Sequence, residues 1–117
     1  MPPTVLIVDD HPSFRASARR MLEAGGYAVV GEAPDGASAL AAVRELGPEL
    51  VLLDIQLPDI DGFEVAERLS GNGGVPAIVL TSSRDSSDFG DAISASPARG
   101  FIPKSDLSGE AIAALIR

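Results

Sequence analysis

The chain has 117 residues, 45% of them hydrophobic and only 4% aromatic, which is enough for one domain with a single aliphatic core. The absence of cysteine excludes a disulfide scaffold, thiol chemistry and cysteine-bound zinc, and no apolar run reaches the roughly 20 residues of a membrane span, so we expect a cytoplasmic protein without membrane contact. With 9 basic and 17 acidic residues the net charge is −8, which disfavours direct binding of this domain to nucleic acid.

The first half of the chain alternates apolar runs with amphipathic stretches. A buried strand is predicted at 4–8, and apolar residues at helical spacing follow from Pro12 to the glycine pair at 25–26. A second strand is predicted at 28–33. Asp35 is placed to cap a second helix, which a Gly-Pro pair ends.

The same unit recurs in the second half. A strand is predicted at 50–53, and the sequence DGFE at 61–64 has capping-box spacing for a third helix. The sequence SGNGG at 70–74 predicts a loop, and a fourth strand follows at 75–80.

The last third of the chain has the weakest helical signal. A helix is expected at 85–97, but Gly90, several serines and a proline give it the lowest propensity, so it is the element best suited to movement. A fifth strand is predicted at 98–102 and a last helix from Ser108. That helix reaches Arg117 without a cap, so we expect the chain to be part of a longer protein.

Five near-continuous apolar strands that alternate with five helices predict a doubly wound α/β fold, a parallel sheet covered on both faces. Such sheets bind ligands beyond the carboxyl ends of their strands. The residues expected at that edge are three carboxylates, a hydroxyl and the chain's only lysine: Asp9, Asp10, Asp54, Thr81 and Lys104.

These side chains suit phosphoryl transfer. Three clustered carboxylates repel one another and need a cation, and oxygen ligands suit Mg²⁺. With the metal on Asp9 and Asp10, Asp54 becomes a carboxylate nucleophile of the kind that forms aspartyl phosphate. Thr81 and Lys104 would then bind the phosphoryl oxygens.

Four motifs, "VLIVDDHP", "VLLDIQLPDIDGFEV", "IVLTSS" and "GFIPK", together resemble the receiver (CheY-like) domain of bacterial two-component response regulators. The first and last resemble the subgroup with a LuxR-type helix-turn-helix output domain. The resemblance covers essentially the whole chain, and it implies a flavodoxin-like sheet of order 2-1-3-4-5. Residues 1–117 would be the N-terminal receiver domain of a regulator whose output domain follows.

The resemblance implies that Asp54 accepts a phosphoryl group from a kinase phosphohistidine. Asp10, Asp54 and the backbone carbonyl of Gln56 would bind Mg²⁺, with Mn²⁺ as an alternative, and Asp9 would position a metal-bound water. The chain would be a switch and not an enzyme acting on substrates.

The family roles of the remaining site residues also follow from the resemblance. Thr81 and Lys104 would sense the phosphoryl group, and Phe101 would be the aromatic residue whose rotamer reports activation. Gln56 and Ser83 occupy the variable positions that tune dephosphorylation. Core packing is the alternative role of Phe101.

The implied partners are a sensor histidine kinase or phosphotransfer protein, docking near Phe14 and Arg15, and a C-terminal DNA-binding output domain. Homodimer formation is left open. Many receivers have a proline after the lysine, joined by a cis peptide, whereas Ser105 follows Lys104 here. The isomer of that peptide is therefore left open.

Two alternatives come from other functional classes. An aspartate-nucleophile phosphatase of the haloacid dehalogenase type also uses carboxylates, Mg²⁺ and lysine. Such enzymes resemble one another in an Asp-x-Asp motif after the first strand, whereas Asp9 and Asp10 are adjacent here. The second alternative is a phosphorylation-independent interaction module, which failure to bind Mg²⁺ would favour. For Asp10 alone, a cap of the first helix is the competing interpretation, and His11 is assigned no chemistry.

Overall fold

A computed structural model describes residues 2–70 and 76–116 of the chain. Its strands are β1 (Thr4–Val8), β2 (Ala28–Ala33), β3 (Leu50–Asp54), β4 (Ala77–Ser82) and β5 (Gly100–Pro103). Its helices are α1 (Pro12–Ala24), α2 (Gly36–Leu46), α3 (Gly62–Ser70), α4 (Ala92–Ala95) and α5 (Gly109–Ile116). All strand pairs are parallel and the order is β2-β1-β3-β4-β5, which confirms the predicted fold.

The strand predictions hold, with shifted ends in the last three strands. β1 and β2 match their predicted bounds, and β3 continues one residue further, through Asp54. β4 extends past Leu80 to Ser82, and β5 begins at Gly100 and not at Ala98. Of the predicted loop at 70–74, Ser70 is the last residue of α3, and the rest, like the first residue of the predicted fourth strand, lies outside the described residues.

The prediction of one helix over 85–97 is wrong in extent. The segment forms a 3₁₀ turn, Ser86–Phe89, and the single-turn helix α4. Gly90 lies between them with φ +56° and ψ −130°, a conformation incompatible with a continuous helix. Neither turn contains a buried residue, so tertiary packing does not compensate for the weak helix propensity.

The helix ends follow the predicted capping chemistry. Asp35 accepts a hydrogen bond from the Ser38 amide at 2.8 Å, and Asp61 accepts one from the Glu64 amide at 2.9 Å. Only half of the predicted capping box forms, because the Glu64 carboxylate pairs with Arg68 at 3.1 Å.

Alternate residues of the buried strands pack on opposite faces of the sheet, so the core has two layers. One layer faces α2 and α3 and the other faces α1 and α5. Strand residues of the first include Leu6, Val8, Val51, Leu53, Ile78 and Leu80. Strand residues of the second include Val5, Ile7, Leu50, Leu52, Val79 and Ile102. None of the helices in residues 2–70 and 76–116 combines the length and apolar composition that crossing a bilayer requires.

Candidate functional site

The predicted carboxylates converge at the carboxyl edge of the sheet. β1 and β3 are neighbours in register, with Val8 opposite Leu53, so Asp9 and Asp54 leave the core side by side. One potential ligand atom each from Asp9, Asp10, His11 and Asp54 lies within 4.8 Å of the others. The topology therefore brings together residues separated by up to 45 positions in sequence.

Lys104, which follows β5, reaches into this acidic cluster. Its Nζ lies 2.6 Å from Asp9 Oδ2 and 3.4 Å from Asp54 Oδ2. The same nitrogen lies 4.2 Å from the centroid of the Phe14 ring, a cation–π arrangement with α1. The ammonium group is thus placed between two carboxylates and an aromatic ring, away from most of the solvent.

Asp9 is buried and stays ionised through local partners. Burial alone would raise its pKa, but the ion pair with Lys104 and the His11 amide, which donates to Asp9 Oδ1 at 2.8 Å, bring the pKa below its usual value. His11 Nδ1 also lies 3.0 Å from Asp9 Oδ1 and 3.1 Å from Asp10 Oδ1. The side chain of His11 makes no capping bond to α1.

Asp54 is buried too, with the opposite result. Burial, together with the nearby charge of Asp9, raises the pKa of its carboxyl group to about 6. The hydrogen bond from the Gln56 backbone amide and the charge of Lys104 favour the ionised form, but they offset this rise only in part. The Gln56 amide donates to Asp54 Oδ1 at 3.0 Å. At pH 7 the carboxylate is mostly ionised, with little hydration to remove before it reacts.

Gly62, at the start of α3, lets that helix approach the Asp54 backbone. Its amide donates to the Ile55 carbonyl at 2.7 Å. A Cβ at this position would lie 2.5 Å from the Asp54 carbonyl oxygen and 2.8 Å from Ile55 Cα. The sequence places Gly62 only in a capping box, and its contact with the site was not predicted.

Asp59 is a second contact outside the predicted capping pattern. Gly36 and Ala37 are the first residues of α2. Their backbone amides donate to the two carboxylate oxygens of Asp59, at 2.8 and 2.9 Å. These bonds lower the pKa of Asp59 to about 2. The loop after Asp54 is therefore tied to a helix 22 and 23 residues earlier in the chain.

Thr81 lies next to Asp54 in the sheet but points its hydroxyl toward β5. The two residues are register partners between β3 and β4. The buried Thr81 hydroxyl donates to the Ile102 carbonyl at 2.7 Å. In this structure the hydroxyl is thus committed to the neighbouring strand.

The variable positions lie at the exposed rim. Gln56 and Ser83 are both exposed. The Gln56 side chain lies beside buried Ser82, whose hydroxyl is 3.5 Å from Gln56 Oε1. Ser82 was not among the predicted site residues, since its burial and its side-chain partner are tertiary features.

Phe101 is half-buried and belongs to an aromatic row. Its ring centroid lies 5.9 Å from that of Phe89, and Phe89 lies 5.9 Å from Phe63 of α3. The row connects β5 to α3 through the 3₁₀ turn. Among the described residues all peptide bonds are trans, including the one between Lys104 and Ser105.

The donor set fits a hard divalent cation. Three carboxylates supply oxygen ligands at the carboxyl ends of two adjacent strands, and Asp10 remains exposed to incoming ligands. Asp9 Oδ2 is buried, and its close partner, the Lys104 ammonium, is not aligned as a hydrogen bond. The cluster therefore has both excess negative charge and spare acceptor capacity.

Comparison with known proteins gives a consistent family match. Residues 5–116 match the response regulator receiver domain. The transcription regulator BvgA of Bordetella pertussis is 38% identical over 108 residues, 92% of this chain and 52% of that protein. The DNA-binding response regulator MtrA of Mycolicibacterium smegmatis is 44% identical over 86 residues, 72% of this chain and 36% of that protein. The chain spans about half the length, or less, of these relatives.

Solved structures agree with the sequence matches. A two-component response regulator of the LuxR family from Aurantimonas has a TM-score of 0.87 and 32% identity, covering 98% of this chain and 83% of the other. The resemblance to the LuxR-type subgroup noted in the motifs is thus confirmed. By fold, site and sequence match, this chain belongs to the response regulator receiver domain family.

Proposed function

We propose that this chain is the phosphorylation-activated switch of a transcription regulator, in which Asp54 accepts a phosphoryl group. The observation that carries the proposal is the environment of Asp54, a buried carboxylate with Lys104 Nζ at 3.4 Å and Asp9 and Asp10 close by. The family match favours this function over a haloacid dehalogenase phosphatase.

The proposed reaction is an in-line displacement. A carboxylate oxygen of Asp54 attacks the phosphorus of a phosphohistidine, the P–N bond breaks and the histidine nitrogen leaves with the bonding pair. The product is aspartyl phosphate. Because Asp54 is poorly hydrated and has a pKa of about 6, it is ionised at neutral pH without needing a general base.

The other side chains prepare this reaction electrostatically. Asp10, Asp54 and the Gln56 carbonyl would hold Mg²⁺, with Asp9 on a bound water, and when bound the ion would neutralise charge on the phosphoryl oxygens. Lys104 is placed to pair with one phosphoryl oxygen after transfer, in place of its contact with Asp54.

The signal would leave the site through β4 and β5. For the Thr81 hydroxyl to bind a phosphoryl oxygen, it must give up its 2.7 Å bond to the Ile102 carbonyl. This exchange would alter the packing of β5 around Ile102 and its neighbour Phe101. The change would then reach the lightly packed 86–95 segment, because Phe89 of that segment packs against the Phe101 ring. Gln56 and Ser83, at the rim, would set the access of water to the aspartyl phosphate.

The partners follow from the same proposal. A sensor histidine kinase or phosphotransfer protein would supply the phosphoryl group, and a C-terminal DNA-binding domain would carry the output. MtrA is a DNA-binding response regulator, and this chain matches only part of its length. Phe14 and Arg15 are less available for docking than the sequence suggested, because Lys104 covers the Phe14 ring and Arg15 is paired within the chain.

Intact mass after incubation with acetyl phosphate and Mg²⁺ tests the proposal. The wild type should gain one phosphoryl group, whereas Asp54→Asn and a metal-free sample should not. Equal labelling of Asp54→Asn would contradict the assignment of the site. Multiple turnover of a generic phosphate monoester would instead support the phosphatase, and absence of Mg²⁺ binding with the fold intact would support the interaction module.

A further inference from the structure

Arg15, in the first turn of α1, joins the acidic loop between β1 and α1, residues 9–11, to β2. One guanidinium nitrogen donates to the backbone carbonyl of Asp9 at 2.6 Å, and Nε donates to Glu32 Oε1 at 3.0 Å. The Arg15 side chain is only 17% exposed. Such a two-ended arginine contact restrains three segments at once: the end of β1, the start of α1 and β2.

The Asp9 carbonyl belongs to the peptide group that leads into Asp10. The other side of Asp9 is already held, because its amide donates to the Ala33 carbonyl at 3.0 Å and its carboxylate is buried against Lys104. Rotation of the chain into Asp10 is limited by the hydrogen bond from the Arg15 guanidinium to the Asp9 carbonyl, together with those from the His11 amide to Asp9 Oδ1 and from the Arg15 amide to the His11 carbonyl. The Arg15 side chain also ties this peptide to β2 through Glu32.

Asp10 has few contacts of its own that could fix its direction. Its side chain is 36% exposed, and its close partner within the described residues is His11 Nδ1 at 3.1 Å. Within the same residues no backbone amide donates to this carboxylate, in contrast to Asp9, which accepts from His11, and Asp54, which accepts from Gln56. The position of Asp10 thus depends on the backbone that carries it.

We propose that Arg15, braced by Glu32, is a positioning residue for the metal site: it holds the Asp9–Asp10 peptide so that the Asp10 carboxylate faces Asp9 and Asp54 before the ion binds. The inference rests on the proposed function for the identity of the ion, Mg²⁺. Arg15 does not touch the ion in this role, and its effect passes through the backbone.

Charge and position make opposite predictions for the removal of Arg15. A guanidinium near an acidic cluster repels a cation, so if charge alone mattered, its loss would strengthen Mg²⁺ binding. If position matters, Asp10 is more mobile without Arg15 and loses more conformational entropy when Mg²⁺ binds, so the affinity for Mg²⁺ falls. The sign of the change therefore separates the two.

The experiment is calorimetric titration with Mg²⁺ of the wild type, Arg15→Gln and the matched control Arg19→Gln. Arg19 lies one turn further along α1 and also pairs with Glu32, at 2.9 Å, but within the described part of the chain it makes no hydrogen bond to the acidic loop. We expect the Kd of Arg15→Gln to rise roughly tenfold, as for other residues that orient metal ligands. For Arg19→Gln we expect an unchanged or slightly lower Kd, and in the metal-free state only Arg15→Gln should shift the amide resonances of Asp10 and His11.

A Kd for folded Arg15→Gln that is unchanged or lower would overturn the proposal, as would an equal rise in Arg19→Gln. If Arg15→Gln does not fold, Arg15→Lys provides the test, since lysine keeps the charge but lacks the fork that reaches both anchors. An unchanged Kd in Arg15→Lys would then overturn it. A wild type that binds Mg²⁺ but gains no phosphoryl group would contradict the proposed function alone.

Discussion

The carboxyl edge of the sheet has a densely held half and a lightly held half. On the β1–β3 side, Asp9 and Asp54 are buried, and the loops that carry them are tied down by Lys104, Arg15 and Gly62. On the β4–β5 side, the 3₁₀ turn and α4 contain no buried residue, although Phe89 packs between two other rings.

The difference matches the two tasks of a switch. Phosphoryl transfer needs groups that are in place before the reaction, and this is a property of the dense half. A response needs an element whose alternative packings differ little in free energy, and low local stability provides that. The Thr81–Ile102 hydrogen bond lies at the border between the two halves.

The largest expected effect comes from breaking the dense half at Gly62. In Gly62→Ala the new methyl group would meet backbone atoms of Asp54 and Ile55, which cannot move as a side chain can. We expect a loss of about 3 kcal/mol in the free energy of unfolding, the upper range for overpacking, measured by urea denaturation. Gly90→Ala is the control in the light half: among the residues that the structure describes, the new Cβ meets no atom within 4 Å, but φ +56° with ψ −130° is strained for alanine, so we expect a smaller loss of about 1–2 kcal/mol. Equal losses would remove the distinction between the halves.

The second prediction concerns the cost of ionising Asp54. Its pKa is about 6 in the folded chain and 3.8 in the reference state, so the folded state binds the proton more tightly and stability falls as pH rises from about 4 to 6. Asp54→Asn has no charge to bury, and without metal it should be the more stable protein at pH 7.5 by about 2–3 kcal/mol.

Urea denaturation in a chelator between pH 4 and pH 8 measures this difference. The gap should close toward pH 4, where both proteins carry a neutral group at this position. Added Mg²⁺ should stabilise the wild type more than Asp54→Asn, since the variant lacks a ligand. A gap that is constant with pH would show that the substitution acts through packing and not through the charge.

The third prediction tests the border between the halves. Thr81→Val keeps the shape but removes the hydroxyl, so the buried Ile102 carbonyl loses its donor, and we expect a loss of about 1–2 kcal/mol in unfolding free energy. Thr81→Ser is the control, because it keeps the hydroxyl. If the effect of phosphorylation reaches β5 through this hydrogen bond, the changes in β5 amide chemical shifts on phosphorylation should persist in Thr81→Ser and be smaller in Thr81→Val. Equal shifts in both variants would mean that the signal takes another route.

Most of the fold and the set of acidic residues could be predicted from local sequence. The apolar runs define the strands, and parallel topology then places their carboxyl ends, with Asp9 and Asp54, at one edge. The alternative role of Asp10 as a helix cap is not supported, since its partner is His11 and α1 has no side-chain cap at its N-terminus.

The contacts that hold the site could not be predicted in the same way. Three of these hydrogen bonds join a side chain to the backbone of a different segment: Arg15 with the Asp9 carbonyl, Asp59 with the first amides of α2, and Thr81 with the Ile102 carbonyl. Such bonds depend on the distance between elements after packing, and residue type and spacing do not encode it. The break at Gly90 is similar, because low propensity predicted weakness but not the φ of +56° that divides the helix.

The smallest expected effect compares serine-to-alanine substitutions in the two halves. In Ser38→Ala the hydroxyl bond to Asp35 Oδ1, 2.6 Å in the wild type, is lost, and we expect a loss of about 0.5–1 kcal/mol despite the better helix propensity of alanine. Ser94→Ala in α4 removes only an exposed bond to the Asp91 carbonyl, so the free energy of unfolding should change by less than about 0.5 kcal/mol. Hydrogen exchange should show the amides of 92–95 opening without global unfolding in both proteins, because that turn has no buried residue to couple it to the core. Exchange of these amides only through global unfolding would mean that the light half is as cooperative as the dense half, and the proposed route of the signal through it would fail.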